Sequence, residues 1–319
     1  MPKYLITGGA GFIGSHLAET LIRRGEEVVV LDNLSTGKRE NLNPAENGPG
    51  KLTFIQGDMR DADTCRQAMQ GVEFVLHQAA RPSVQRSVED PMLSHDVNVN
   101  GGLNILITAK DAGVKRVVAA SSSSVYGDRQ PADAPKQEDM DPRPMSPYAV
   151  NKVALEYYYR VFHKVYGLET VALRYFNVFG PRQDPLSDYA AVIPRFMFAL
   201  LDGERPTVFG NGKQSRDFTY IDNVVKANLA ACTASGAAGQ VFNVASGSSQ
   251  SLLRLLELLE KLTGQKADPE FGPPRTGDVR YSLADLSRAR QVLGYKVEVD
   301  FEQGLARLVE LAQAGRYLP

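Results

Sequence analysis

A short apolar strand, Tyr4-Leu-Ile-Thr7, runs straight into Gly8-Gly-Ala-Gly11-Phe-Ile-Gly14, and a helical pattern from Phe12 to Arg24 follows. Strand, glycine turn and helix in that order open a βαβ unit, which commits the chain to a parallel sheet. Gly8 permits the tight turn, Gly11 lets the backbone approach a pyrophosphate, and Gly14 lets the helix pack closely on the sheet. The phosphate charge then lies at the helix N-terminus. A glycine turn with only a structural role is the plainer alternative, and the flanking strand and helix argue against it. Asp32 ends the second strand, about 20 residues past the last glycine, where a carboxylate accepts ribose hydroxyls and repels a 2′-phosphate. That favours NAD, while Lys38 and Arg39 leave NADP open. Asp58, after the third strand, is either a holder of the adenine amino group or a turn residue.

The same rhythm continues. Glu27–Leu31, Leu52–Ile55, Phe74–His77 and Arg116–Ala120 are near-continuous apolar runs, as expected of buried parallel strands. Helical patterns at 63–69, 91–112 and 148–166 separate them and lead to a sixth strand, Glu169–Tyr175. The expected architecture is α/β, a doubly wound parallel sheet of the Rossmann kind. After Asn177 turn clusters multiply, as in Phe209-Gly-Asn-Gly and Gly272-Pro-Pro-Arg-Thr-Gly-Asp. Helical pieces at 191–201, 222–233, 251–262 and 301–314 alternate with them, and Gly264 is a natural stop for the third. The division is therefore 1–176 for the dinucleotide-binding domain and 177–319 for a smaller substrate-binding lobe, with segments free to return to the first.

With 319 residues and 43% hydrophobic composition, the chain is long enough for a large core plus a lobe. A net charge of −1 without a basic run argues against a nucleic-acid surface. Cys65 and Cys232 stand apart without a partner His or Cys, so neither a metal site nor a disulfide is expected. No apolar run reaches membrane-spanning length, and no leader pattern precedes the first strand. A soluble cytoplasmic protein is the expectation.

Tyr148 and Lys152 stand one helical turn apart in Ser-Pro-Tyr-Ala-Val-Asn-Lys and so share a helix face. A free phenol has a pKa of about 10. An ammonium about 4 Å away contributes roughly 4 kcal/mol at an effective dielectric near 20, about three pKa units. That predicts a tyrosine able to take a proton from an alcohol near neutral pH. Ser121-Ser122-Ser123-Ser124 follows the fifth strand at the carboxyl edge, where open α/β sheets bind ligands.

Together these residues resemble the extended short-chain dehydrogenases/reductases. The matching segments are Gly8-x-x-Gly11-x-x-Gly14, Asp32-Asn33, His77-Gln78-Ala79-Ala80, Asn98-Val-Asn-Gly101, the serine run with Val-Tyr-Gly127, Tyr148-x-x-x-Lys152 and Leu173-Arg-Tyr-Phe-Asn-Val-Phe-Gly180. Within that family, Asp32-Asn-Leu-Ser-Thr-Gly-Lys and Ser215-Arg-Asp-Phe-Thr-Tyr-Ile-Asp222 resemble nucleotide-sugar 4-epimerases of the UDP-glucose/UDP-N-acetylglucosamine type. The resemblance implies NAD contacts from Gly8, Gly11, Phe12, Ile13, Gly14, Asp32, Asn33, Thr36, Gly37, Asp58, Met59, Ala79, Ala80, Asn98, Tyr148, Lys152 and Tyr175. Sugar dehydratases of the family carry an Asp-Glu pair, and decarboxylases a glutamate, where this chain has Ser123-Ser124. Epimerisation needs no such acid.

By the same resemblance Tyr148 is the base, Ser122 bridges it to the sugar, and Lys152 lowers its pKa and holds the nicotinamide ribose. Ser123 and Ser124 line the sugar pocket. Arg216 and Arg275 are the candidates for gripping the pyrophosphate, since a guanidinium fork suits phosphate oxygens. Asn177 contacts the nucleotide, Asp278 the uridine ribose, and Ala191 and Val192 form the uracil-side wall. Ser282 corresponds to a wall position that is bulky in strict UDP-galactose epimerases, so a small residue there leaves room for a 2-acetamido group. The expected substrates are UDP-GlcNAc/UDP-GalNAc, with UDP-Glc/UDP-Gal as a second pair. A homodimer through the helices at 91–112 and 148–166 is implied, and no metal. The rivals are a UDP-glucuronate 4-epimerase, which needs a polar or cationic partner for C6 that the sequence does not locate, a reductase with net redox change, and a non-catalytic NAD-binding regulator.

Overall fold

The computed structural model describes residues 1–129, 134–185, 191–273 and 281–318. Its centre is a seven-stranded sheet. The strands are β1 (Lys3–Thr7), β2 (Glu27–Asp32), β3 (Lys51–Gln56), β4 (Phe74–His77), β5 (Arg116–Ser122), β6 (Glu169–Tyr175) and β7 (Gln240–Val244). They lie in the order β7-β6-β5-β4-β1-β2-β3, every pair parallel. The chain winds outward from β1 through β2 to β3, then crosses back to β4 on the other side. The carboxyl ends of β1 and β4 thus flank the crevice where the winding reverses, the usual ligand site of such sheets.

Apolar clusters cover both faces of the sheet, one built around Ile6, Val30 and Leu173 and the other around Leu5, Val75 and Ala119. Period-two alternation explains this, since neighbours such as Leu5 and Ile6 point to opposite faces and both are buried. β3 departs from the expectation of a buried strand. It is the sheet edge, and Leu52–Ile55 are only half-covered.

Four helices matter to the site: α1 (Phe12–Arg23), α2 (Gly101–Asp111), α3 (Pro147–Tyr166) and α4 (Ile221–Thr233). α3 begins where its sequence dictates. Ser146 Oγ accepts from Ala149 N at 3.2 Å, Pro147 fills the first turn, and Gly167 at φ +73° ends it. The amphipathic stretch at 91–112 is not one helix. A π-helical turn at Asp96–Asn100 separates Pro91–His95 from α2 and turns Asn98 and Val99 inward. β7 returns from the later half of the chain to pair with β6. The rest of the later half carries short strand pairs, Val178–Phe179 with Thr219–Tyr220, Ser215–Asp217 with Ser249–Ser251, and Thr207–Phe209 with Glu270–Gly272.

Candidate active site

The cleft at the β1/β4 switch encloses about 270 Å³. Gly8, Gly11, Phe12, Ile13, Gly14, Asp32, Asn33, Thr36, Gly37, Asp58, Met59, Ala79, Ala80, Tyr148, Lys152 and Tyr175 all line it. Its glycine cradle leaves no room for side chains. A Cβ on Gly8, at φ +69°, would lie 2.7 Å from the Ala79 backbone, and one on Gly14 would lie 2.2 Å from the Gly8 carbonyl oxygen. α1 starts at Gly11 without a side-chain cap, so its first N–H groups face the cleft as an anion site.

Asp32 accepts hydrogen bonds from Ala10 N (2.9 Å) and Leu34 N (2.8 Å). Burial raises its carboxyl, and those two N–H groups pull it back. Asp58 takes the guanidinium and backbone N–H of Arg60 and the amide of Asn33 at 2.9 Å, and the Arg60 contact leads in holding it down at about 2. The two cations that left NADP open are engaged elsewhere. Lys38 reaches Asp184 at 3.5 Å, and Arg39 reaches Glu46 at 2.5 Å with its guanidinium 4.9 Å from the Phe54 ring. These surroundings fit NAD.

Asn98 is buried, accepting from Arg81 N at 2.7 Å and donating to Arg81 O at 3.3 Å. The π turn drives it into the loop after β4, so it shapes that loop from behind. Gln78, absent from the sequence-derived contacts, lies on the wall and accepts from Tyr175 Oη at 3.0 Å. Its place beside Ala79-Ala80 was the available signal.

A second cavity of about 280 Å³ adjoins the cleft, and Tyr148 and Tyr175 line both. Ser122, Ser123, Ser124, Asn177, Arg216 and Ser282 share this cavity, with Tyr126, Lys136 and Tyr281. Lys136, which the sequence reading passed over, is 4% exposed. It lies on an irregular segment bridged to Ala284, which no periodicity reveals. The Ser124 hydroxyl oxygen is buried without a partner among the described residues. A third cavity of about 350 Å³ carries Ala191 and Val192 with Phe209, Gln214 and Phe218, and Asn177 and Arg216 border both the second and the third. Arg275 and Asp278 lie outside the described residues.

Tyr148 corrects another expectation. Desolvation pushes its phenol up to about 12, opposed by a hydrogen bond with Ser122. Lys152 Nζ stands 5.7 Å from the centre of the Tyr148 ring and donates to Ala120 O at 2.7 Å. Burial pulls the ammonium itself down to about 8. The simple pair arithmetic placed both groups in a polar medium, whereas both are packed in walls of low polarity that disfavour either charge.

The family model for the NAD dependent epimerase/dehydratase family matches residues 4–245. The chain belongs to that family. It is 44% identical over 310 residues to the UDP-glucose 4-epimerase of Mycolicibacterium smegmatis, covering 97% of each chain. It is 36% identical to a UDP-glucuronate 4-epimerase of Thermodesulfobacterium geofontis, over 97% of this chain and 95% of that one. Among solved structures, UDP-glucose 4-epimerase from Thermotoga maritima with UDP-glucose superposes at TM-score 0.92 and 38% identity, covering 98% of this chain and 99% of that one. UDP-N-acetylglucosamine 4-epimerase from Methanobrevibacter ruminantium, in complex with UDP-N-acetylmuramic acid, does so at 0.92 and 40%, with the same coverage. This member of the epimerase/dehydratase family is an NAD-dependent isomerase of the UDP-sugar 4-epimerase class.

Proposed function

We propose that the chain interconverts UDP-GlcNAc and UDP-GalNAc, with UDP-Glc/UDP-Gal as a second pair. The observation that carries the reading is Tyr148, a wall shared by a dinucleotide cleft and a cavity lined with hydroxyls, whereas the hydroxyl of Tyr175, which also borders both, is engaged by Gln78 and Asn228. NAD, when bound, supplies a hydride acceptor for C4 and a positive ring beside the phenol. Tyr148 takes the proton of the 4-hydroxyl, and Ser122 shares it. Lys152 keeps the developing phenolate paired with a cation. The same tyrosine returns the proton once the 4-ketosugar has turned over.

Turnover of the sugar requires a firm grip on the nucleotide and a loose one on the hexose. Arg216 and Asn177 stand between two cavities, as a holder of the diphosphate must, with Ala191 and Val192 beyond them against the base. Arg275 and Asp278 are assigned to the same nucleotide end on resemblance. Ser123, Ser124 with its unpartnered hydroxyl, and Ser282 offer short side chains around the sugar. Val150, Tyr157, Val161 and Val165 form an exposed apolar stripe along α3, and exposed Ile107 lies on α2, which supports a homodimer through these helices. Two free, buried cysteines suit a reducing cytoplasm.

A hexuronate substrate is the second reading. Lys136 supplies the buried cation in the sugar cavity that a C6 carboxylate calls for. Product analysis on a panel of UDP-sugars, without added NAD, decides between them. Interconversion with no sustained nicotinamide absorbance change supports an epimerase, and a net change in that absorbance overturns it.

A further inference from the structure

Three consecutive residues at the end of β5 are matched to three successive turns of α3. Ser122 shares a cavity wall with Tyr148 and works against the rise that burial imposes on its phenol. Ala120 O accepts from Lys152 Nζ at 2.7 Å, and Ser121 Oγ donates to Glu156 Oε1 at 2.5 Å. Tyr148, Lys152 and Glu156 recur at i, i+4 and i+8, so one helix face meets one strand end. Glu156 is 5% exposed. Arg174, opposite Ser121 on β6, grips it with two bonds of 2.9 and 2.7 Å. The guanidinium also lies 4.7 Å from the Tyr126 ring centre and donates to Glu138 O at 3.2 Å.

We propose that Glu156 is a positioning residue for the reaction, its buried carboxylate holding Lys152 in the ammonium form and, through Ser121, fixing the strand end that presents Ser122 to Tyr148. This rests on the reading that Tyr148 carries the proton chemistry. Burial works against the Lys152 charge, and Glu156 opposes that loss. The other titratable or charged groups around Lys152 supply no negative charge. Tyr148 on its own helix is a neutral phenol at rest, and His77 on β4 stays neutral because burial and the Lys152 charge pull it down to about 3. Arg174 on β6 is cationic, and its ion pair with Glu156 is what cancels it. Remove the carboxylate and two buried cations share one layer. Arginine keeps its proton under such conditions, so lysine is the group that sheds one.

The test compares pH profiles of kcat in the NAD-loaded enzyme. E156Q keeps the shape and removes the charge. The alkaline limb, which reports loss of the Lys152 proton, then moves down by about one pH unit, so that kcat falls about twofold at pH 7 and about tenfold above pH 9, with KM little changed. R174M leaves Glu156 charged and moves the limb upward, and E156D retains the wild-type limb. The neutral pair E156Q/R174M removes both charges and places the limb between those of the two single variants. A merely structural role predicts otherwise, with both single variants weakened, neither limb moved, and the double variant normal. That pattern, or shifts in the same direction, overturns the proposal. Should E156Q not fold, R174M against E156Q/R174M gives the same reading, an upward limb in the first and a lower one in the second. The Tyr148→Phe enzyme separates the two claims. Its inactivity alongside an unmoved E156Q limb defeats only the role of Glu156, whereas an active Tyr148→Phe enzyme defeats the reading beneath it.

Discussion

Ser282 Oγ accepts a hydrogen bond from Asn177 Nδ2 at 3.1 Å on the wall of the second cavity, the one proposed to take the sugar. Asn177 holds φ +33° and also donates to Asp217 O at 3.2 Å, so the wall is anchored through backbone and side chain together. A small residue thus sets the cavity's width while a fixed amide supports it. Ser282→Tyr is predicted to lower kcat/KM for UDP-GlcNAc by at least about a hundredfold, and for UDP-Glc by less than about tenfold, about 1.4 kcal/mol being tenfold. Ser282→Ala controls for the lost hydrogen bond. Equal losses on both sugars in Ser282→Tyr refute the assignment.

Tyr148→Phe removes a hydroxyl that borders both cleft and cavity. The expected loss in kcat is about 10²–10⁴-fold, the usual worth of general acid–base catalysis. NAD content after purification should be unchanged, because the ring still lines the cleft. Near-normal turnover by this variant is the result that ends the proposed mechanism.

Cofactor choice turns on Asp32. Its carboxylate is fixed by Ala10 N and Leu34 N in the cleft, while Lys38 and Arg39 are tied to Asp184 and Glu46. Asp32→Ser is expected to weaken NAD binding by about tenfold and to narrow the gap to NADP, on the scale of one charge-assisted hydrogen bond. Titration of the NAD-stripped protein with each dinucleotide measures both. An unchanged preference for NAD contradicts the role given to this carboxylate.

The acid stability of the protein should depend on His77. Its imidazole is buried, shares a hydrogen bond with the Thr7 hydroxyl through Nδ1 (2.7 Å), and is pulled down from about 6.5 to about 3, first by burial and then by the Lys152 charge. The unfolded chain therefore binds the extra proton between those values, and stability is lost as pH falls from about 6.5 toward 3. Asp217 acts in the opposite sense. Burial pushes it up to about 6, so the folded state gains its proton first and recovers stability on acidification between about 6 and 4. Urea midpoints measured against pH should fall less steeply in His77→Asn and more steeply in Asp217→Asn. Parallel curves for wild type and His77→Asn contradict this.

The features legible in the sequence are those fixed by a few neighbouring residues. The glycine cradle follows from three spacings, and the Tyr148–Lys152 face from one helical turn. The sixth strand ran true to its apolar pattern, whereas the third, with the same kind of pattern, proved to be an edge, because edge position is a property of the whole sheet. The unforeseen features depend on segments far apart in the chain. Asn98 braces the loop after β4 because a π turn interrupts its helix. The phenol of Tyr148 rises rather than falls because packing around both members of the pair excludes water. Lys136 reaches the sugar cavity through a bridge to Ala284 that only the folded lobe creates.

Lys136 gives the choice of sugar its sharpest test. Lys136 lines the cavity beside Tyr148, and an ammonium there attracts an anionic sugar more strongly than a neutral one. Lys136→Met keeps the length of the stem and removes the charge. If the enzyme epimerises UDP-glucuronate, this variant should lose that activity by about a hundredfold or more, as truncation of a buried charge pair costs 2–5 kcal/mol. Turnover of UDP-Glc should then change by less than about tenfold, since a neutral hydroxyl loses only one hydrogen bond of about 1 kcal/mol. A wild-type enzyme that leaves UDP-glucuronate untouched at saturating concentration removes the hexuronate reading outright. In that event a selective loss on UDP-GlcNAc in Lys136→Met assigns the ammonium to the acetamido carbonyl, in the cavity that Ser282 also lines.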